Sequence, residues 1–187
     1  MVGVMARKWI FPVVFGVAAM AAYDNYLSAK QKLDLIEAGR LRTGARVNLT
    51  YPELDAWVAH EMPDGVRNPR VVVSTYGVAT GRAVVDFAKV RRAQGSPPGW
   101  LMEKLLEGER PVSVTARIRS SGGTATVDVE RVEISGVTID GNTLDFLIRN
   151  ILLPLYPQAV VGKPFELGHR IERLDVAPAA VGIMIGK

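Results

Sequence analysis

The sequence lacks the residues on which several kinds of site depend. It contains no cysteine, which excludes disulfides, zinc–thiolate sites and a lipidated-cysteine anchor, so any membrane tether must be polypeptide. It has only two histidines, His60 and His169, far apart in the chain. His60-Glu61 is not part of an H-E-x-x-H pattern, so zinc hydrolysis is unsupported and both histidines are expected to be surface or hydrogen-bonded side chains.

Sequence motifs for nucleotide binding and for an activated serine are also missing. No Walker A or Rossmann glycine pattern occurs in the chain. The stretch 95–99 (GSPPG) is not a G-x-S-x-G nucleophile elbow, because its serine directly follows the first glycine and no strand-turn-helix surrounds it. We therefore predict a protein that is not an enzyme and that uses no cofactor.

Charge is low and well mixed. The net charge of +4 includes Arg7 and Lys8 near the N-terminus, and no basic stripe of the kind that binds nucleic acid follows them. Arginines such as Arg117 are interleaved with acids such as Asp128 and Glu133, which is typical of a solvated sheet face. With 187 residues, 48% of them hydrophobic, the chain suits one globular domain and no nucleic-acid partner is predicted.

Residues 1–23 form a hydrophobic N-terminal segment. Arg7 and Lys8 precede an uncharged run from Trp9 to Tyr23. As a helix this run would reach only about 22 Å against about 30 Å of bilayer hydrocarbon, so it is short for a stable span. It is interpreted as a signal peptide, cleaved after the A-x-A pattern at 19–21, or as a retained anchor with lysine and arginine snorkelling. The third alternative is a buried core helix of the domain.

The signal-peptide and anchor interpretations give the same location. With Arg7 and Lys8 held in the cytoplasm, the domain is expected outside it, in the cell envelope, either anchored to the inner membrane or secreted to the periplasm. Residues 24–44 are predicted to form a stalk helix, with loosely periodic leucine and isoleucine among charged residues. The membrane is thus a predicted partner, and residues 45–187 form the predicted domain.

The domain sequence predicts antiparallel strands with a few short helices. Thr50 and Glu53 form a capping box that starts a helix, and 70–76 and 82–90 are predicted to form a hairpin. Stretches 111–119 and 124–135 alternate as strands, and pairing Arg119 with Thr124 places both apolar faces on one side.

Two breaks in the strand alternation predict β-bulges. The apolar phase shifts at Glu130-Arg131 and again at Glu172-Arg173. Bulges bend strands, so the predicted fold is α+β, with a strongly curved antiparallel sheet wrapped around a long apolar helix at Thr143–Leu153. That helix is apolar nearly all round, which is typical of a buried or lipid-facing helix.

The order of these elements resembles a known family. One membrane segment, the helix at Leu49–Val58, β-hairpins, the GNTLDFLI and PLYP stretch at 141–157 and a final β pair are similar to single-pass bacterial envelope proteins with a TULIP-like domain, half of a tubular lipid-binding fold. The resemblance implies a curved sheet around a helix that holds acyl chains. It implies no set of functional residues.

The resulting hypothesis is a non-catalytic envelope domain that binds a lipid or another apolar ligand between sheet and helix. The predicted lining is Leu144, Leu147, Ile148, Ile151 and Leu155, with the helix at 100–106, which carries Trp100 and Met102, as a gate. The alternative is a structural or protein-interaction module of the envelope, whose core is fully packed and whose outer face docks an envelope protein partner. A cavity of several hundred Å³ would favour the first.

Overall fold

The computed structural model describes residues 11–93, 108–153 and 160–187. The elements, in chain order, are α1 (Phe11–Glu37), β1 (Arg46–Thr50), α2 (Tyr51–Glu61), β2 (Val66–Thr75), β3 (Val78–Asp86), α3 (Phe87–Ala93), β4 (Glu109–Ser121), β5 (Thr124–Ile134), β6 (Val137–Ile139), α4 (Gly141–Leu147), a π-helix (Ile148–Leu152), β7 (Phe165–Glu166), β8 (Ile171–Ala177) and β9 (Ala180–Ile185). The predicted α+β class is therefore correct.

A three-stranded antiparallel sheet in the order β1-β9-β8 packs against α1. Ala29 and Ile36 lie on one face of α1, two turns apart. They form a buried cluster with Leu49 of β1 and with Ile183 and Ile185 of β9. Because a two-layer core needs an apolar stripe on each layer, the apolar side chains of α1 that face the sheet hold the helix on the domain.

The larger sheet has six strands, in the order β2-β3-β4-β5-β6, with the short β7 also paired to β5. All of its strand pairs are antiparallel. Because side chains alternate along a strand, the sheet has an apolar face that includes Val112 and Val114 and an opposite face, here called the charged face, that includes Arg82, Arg117 and Glu133.

The β4–β5 hairpin turns more tightly than predicted. Ser121 pairs with Thr124 and Arg119 pairs with Thr126, not with Thr124, so the predicted register is wrong by two residues. The turn has only Gly122 and Gly123 at its centre, with φ values of 56° and 80°, as a two-residue type I′ turn requires. The faces were still predicted correctly, because a shift of two residues leaves each side chain on its side of the pleat.

Both predicted bulges exist, but the strongly curved sheet does not. Thr115 pairs with Arg131 and Ala116 with Val129, which leaves Glu130 as the extra residue of β5. The pairing of β8 with β9 likewise skips Glu172. The prediction of strong curvature is wrong because the two bulges lie in different sheets, so their local bends do not add along one surface.

The predicted long apolar helix at Thr143–Leu153 is also wrong. The segment is the seven-residue α4 followed by the five-residue π-helix, in which the Leu153 N–H bonds to the Ile148 carbonyl, five residues back. No residue of α4 is buried, and Phe146 is 41% exposed. The prediction rested on the apolar side chains that occur on all sides of this segment, which suggested a helix buried on all sides. In the structure α4 lies on one face of the sheet and packs through one side only.

The N-terminal part of the described chain is a single helix. The long helix α1 runs without interruption through Tyr23 and Asp24, and its exposed side chains include Met20, Tyr23 and Leu27. Among residues 11–93, 108–153 and 160–187, no helix combines the length and the apolarity that a bilayer span requires. Residues 1–10, with Arg7 and Lys8, lie outside the described chain.

Strand β8 joins the two sheets through hydrogen bonds from the β4–β5 hairpin of the larger one. The Ser120 hydroxyl donates to the Leu174 carbonyl at 3.0 Å and accepts from the Leu174 N–H at 2.7 Å. The Gly123 N–H donates to the Glu172 carbonyl, at 2.9 Å, farther along the same edge. Backbone groups on the β8 edge of the small sheet thereby gain hydrogen-bond partners, which is one way that proteins protect strand edges.

Replacing Ser120 by alanine should remove both bonds to Leu174 at once. We expect the free energy of unfolding to fall by about 1–3 kcal/mol, because two half-buried backbone groups would lose their partner. The neighbouring Ser121→Ala variant is the control, since the Ser121 side chain is exposed and makes no hydrogen bond within the described chain. Urea denaturation of both variants measures the difference, and equal stabilities would show that Ser120 does not join the sheets.

Candidate functional site

An apolar pocket of about 210 Å³ lies between the apolar face of the six-stranded sheet and the helices α3 and α4. Among the residues that the structure describes, every side chain that lines it is apolar: Val66, Val85, Phe87, Val90, Val112, Val114, Val129, Val132, Ile134, Leu144, Leu147 and Ile148. Nothing in this lining can form a side-chain hydrogen bond with a bound molecule. The pocket can therefore select for apolar groups only.

The bulge at Glu130 is what keeps the β5 part of this lining together. Val129 and Val132 are three residues apart, so in a regular strand they would point to opposite faces. The extra residue restores the phase, and Val129, Val132 and Ile134 all line the pocket. The phase break seen in the sequence is thus a device that places three valine and isoleucine side chains on one side.

Helix α3 supplies the side of the pocket that the sequence did not predict. Stretch 82–90 was predicted as strand throughout, but the strand ends at Asp86 and Phe87 and Val90 belong to α3. The Asp86 carboxylate accepts a hydrogen bond from the Lys89 N–H at 3.0 Å, as an N-cap side chain does. An aspartate that ends an alternating run was the available signal for this helix.

Three of the predicted ligand-binding residues come together in the pocket. Leu144, Leu147 and Ile148, at i, i+3 and i+4, form the side of α4 and the π-helix that faces the sheet. Ile151 lies farther along, in the π-helix. Leu155, and Trp100 and Met102 of the predicted gate, lie outside the described residues.

The size of the pocket suits one small apolar group. Sites for drug-sized ligands usually measure about 300–1,000 Å³, whereas an apolar core cavity of about 150 Å³ already binds benzene. At about 210 Å³ the pocket falls between these two cases. It has room for a single hydrocarbon chain or a ring, and not for a whole lipid.

Glu53 is the most strongly perturbed ionisable group among the described residues. It is 6% exposed, and its carboxylate accepts bonds from the Ser28 hydroxyl at 2.5 Å, the Lys32 ammonium at 2.6 and 2.8 Å, and the Thr50 N–H at 2.8 Å and hydroxyl at 3.1 Å. Burial alone would raise the pKa of Glu53, but the bonds from Lys32, Ser28 and Thr50 outweigh it and lower the pKa to about 2.

This Glu53 cluster is structural. The capping box with Thr50, predicted from the sequence, starts α2, and Ser28 and Lys32 fix α1 to that helix start. A carboxylate with such a low pKa and donors on both oxygens is a poor general base. The cluster therefore offers no acid–base chemistry, and its role is to join α1 to α2.

The described residues contain no group of three or more His, Asp or Glu side chains placed to hold a metal ion. His60 stacks on Tyr26, with ring centroids 4.0 Å apart, and its Nδ1 lies 3.4 Å from the Glu61 carboxylate. His169 lies at the turn before β8, in a left-handed conformation with φ of 44°. The two histidines thus lie in different elements, His60 in α2 and His169 in the turn before β8.

No protein-family model matches this chain, and no curated protein or solved structure matches it either. The resemblance to TULIP-like envelope proteins therefore stays a prediction from element order.

Proposed function

We propose that this protein is a non-catalytic domain that binds an apolar ligand, the acyl chain of a lipid, in the pocket between the six-stranded sheet and α4. The observation that carries the proposal is the lining itself. Twelve apolar side chains from two helices, the π-helix and four strands converge on a space of about 210 Å³ with no polar side chain among them. Burial of apolar ligand surface would supply the binding free energy.

An acyl chain fits this lining better than a polar metabolite. Without a hydrogen-bonding side chain the pocket cannot orient a polar ligand, and burying an unpaired polar group would cost more than it gains. A flexible chain can enter by its methyl end and leave its polar head in solvent. The volume limits the bound part to one chain.

Helix α4 is the proposed entry side. Phe146 and the polar side chains of α4 face solvent, and only the side with Leu144 and Leu147 packs on the sheet. An element held by so few buried contacts opens more easily than a core strand. The π-helix that follows is of a type that often marks functional sites.

The proposed location is the cell envelope, outside the cytoplasm. The basic residues and apolar run of residues 1–23 support it, with the domain either anchored to the inner membrane or released to the periplasm. The proposed partners are the membrane and its lipids.

Filling the pocket should weaken binding strongly. We expect Leu147→Trp to weaken binding of 1-decanol, an uncharged single-chain probe, by tenfold or more, because the indole would occupy space now open to the ligand. Phe146→Trp is the matched control, since the neighbouring Phe146 is 41% exposed and does not line the pocket. Its affinity should stay within about twofold of the parent. Titration followed by methyl NMR measures all three proteins.

Native mass spectrometry of the full chain, purified from membranes in mild detergent, tests the ligand directly. Co-purified lipid that Leu147→Trp loses and Phe146→Trp keeps would support the proposal. Absence of both co-purified lipid and saturable decanol binding would overturn it, and would favour the alternative of a structural or protein-interaction module whose interior is closed to ligands.

A further inference from the structure

The charged face of the six-stranded sheet carries arginines that are nearly all paired. Five of them each contact a carboxylate: Arg67 with Glu109, Arg70 with Asp55, Arg117 with Glu130, Arg119 with Asp128 and Arg131 with Glu133. Such pairs keep the net field of the face small and contribute little to stability individually. An arginine without such a partner on the same face therefore stands out.

Arg82 is that arginine. It forms no ion pair or hydrogen bond through its side chain with any of the described residues, and it lies directly opposite Arg70 in the β2–β3 register. Like charges directly opposite on neighbouring strands destabilise a sheet. Arg70 is drawn away toward Asp55, 3.9 Å distant, and the Pro69 carbonyl at 3.2 Å, so Arg82 is left with an unneutralised charge.

A groove of about 340 Å³ runs beside Arg82 on this face. Arg82, Ser113 and Glu133 form one row across β3, β4 and β5 and line the groove, with Val84 and Pro111, also register partners, in the next row. Strands lie about 4.8 Å apart, so the row spans about 10 Å from the first strand to the third. The groove thus combines a cationic end, a hydroxyl, a carboxylate end and an apolar floor.

A bulge in β2 brings a further hydrogen-bonding group to the groove. Asn68 and Pro69 together stand opposite Ala83, and Asn68, at φ of 50°, lines the groove beside Arg82. Bulges commonly redirect a side chain next to a binding site. Asparagine tolerates this left-handed backbone conformation, which most other residues adopt only at a cost.

We propose that this groove binds a small organic anion, a phosphate monoester or carboxylate with an apolar body. The anionic group contacts the Arg82 guanidinium and the Ser113 and Asn68 side chains, since charge-assisted bonds from a planar guanidinium suit both anions. The apolar body lies on Val84 and Pro111. Glu133, held by Arg131 at 2.7 Å, accepts a hydrogen bond from a hydroxyl or ammonium group of the ligand and disfavours a second anionic group.

This groove is on the sheet face opposite the acyl-chain pocket, and the proposal does not depend on the one above. A ligand here is recognised by charge, whereas the described lining of the pocket has no polar side chain. The uncharged probe of the first experiment therefore leaves this site untested, and an anionic aromatic probe tests it separately.

The test is titration of the full chain with phenyl phosphate, followed by NMR, with Arg82→Gln and Arg117→Gln as a matched pair. Both variants remove one arginine from the same face, but Arg117 is bound to Glu130 at 2.6 Å and does not line the groove. We expect Arg82→Gln to weaken binding about tenfold or more and Arg117→Gln to change it less than about twofold, because of these two arginines only Arg82 contacts the anion. Inorganic phosphate should bind more weakly than phenyl phosphate.

Arg82→Gln should fold normally, because the exposed Arg82 side chain has no partner among the described residues to lose and its removal relieves repulsion from Arg70. Thermal denaturation without ligand is expected to show a variant at least as stable as the parent. Three outcomes would overturn the proposal: no saturable binding of phenyl phosphate at millimolar concentration, equal weakening by both variants, or inorganic phosphate binding as tightly as phenyl phosphate. The last would mean that the Val84 and Pro111 floor contributes nothing.

Discussion

Replacement of Gly65 by alanine is expected to lower the free energy of unfolding by about 3 kcal/mol, from left-handed backbone strain and overpacking together. Gly65 has φ of 99°, and an added Cβ would lie 2.9 Å from the Asp86 carbonyl oxygen, from the Lys89 Cβ and from the Val90 backbone nitrogen. Two of these three atoms belong to the backbone, so no side-chain rotation can relieve the contacts. Either β2 or α3 would have to move.

The position of Gly65 makes this change relevant to the pocket. Its carbonyl accepts a hydrogen bond from the Asp86 N–H at 2.7 Å, where β3 ends and α3 begins. Val66 comes directly after Gly65 in the chain, and Phe87 and Val90 come after Asp86. All three side chains line the pocket. Gly65→Ala should therefore weaken decanol binding as well as the fold.

Gly44→Ala is the matched control. Gly44 has a comparable left-handed φ of 79°, but nothing lies within 4 Å of its added Cβ. Backbone strain alone should cost about 1 kcal/mol there. Urea denaturation of both variants separates the cost of backbone strain from the cost of close contacts. Similar losses in the free energy of unfolding would show that the close approach of α3 to Gly65 does not add to the cost.

Acidification is expected to destabilise the protein through Glu53. The folded-state pKa of Glu53 is about 2, below its ordinary value of 4.5, so the unfolded chain takes up the proton first as the pH falls. The contribution is fully present above about pH 4.5 and is lost progressively as the pH falls from 4.5 toward 2. At one pKa unit per 1.36 kcal/mol, it amounts to about 3 kcal/mol.

Glu53→Gln should remove this contribution. We expect a loss of about 3 kcal/mol at neutral pH, because the Lys32 ammonium loses its buried counter-charge, and little difference from the parent near pH 2. The control is Asp34→Asn, which breaks the exposed Lys30–Asp34 pair on α1, the helix that carries Lys32. Its effect on the free energy of unfolding should be much smaller. Urea denaturation across pH 2–7 measures all three proteins. A parent whose stability does not change from pH 5 to pH 2.5 would contradict this assignment.

Local sequence signals were sufficient where one element could be recognised from its own residues. The capping box of Thr50 and Glu53 starts α2 as predicted, because both partners lie within one helical turn. The two bulges, at Glu130 and Glu172, were visible as breaks in a period of two. The hairpin of β2 and β3 was also predicted, because β-branched runs and glycines mark it locally.

Part of the candidate site could be read from sequence. Leu144, Leu147 and Ile148 were predicted because three apolar residues at i, i+3 and i+4 share one side of a helix. The strand side chains and the α3 residues Phe87 and Val90 were missed. Their partners across the pocket lie far away in the chain, so no local pattern indicates that they meet.

The sequence alone determined which residues alternate, where α2 starts and which side of each strand is apolar, because these depend on neighbours within a few positions. Only the tertiary structure decided that β5 and β8, with their similar bulges, belong to different sheets. It also decided that the segment after Asp140 is a short half-exposed helix and that Arg82 is the register partner of Arg70. These outcomes depend on pairing between distant segments. Many pairings satisfy the same alternation, and packing of the whole chain selects one.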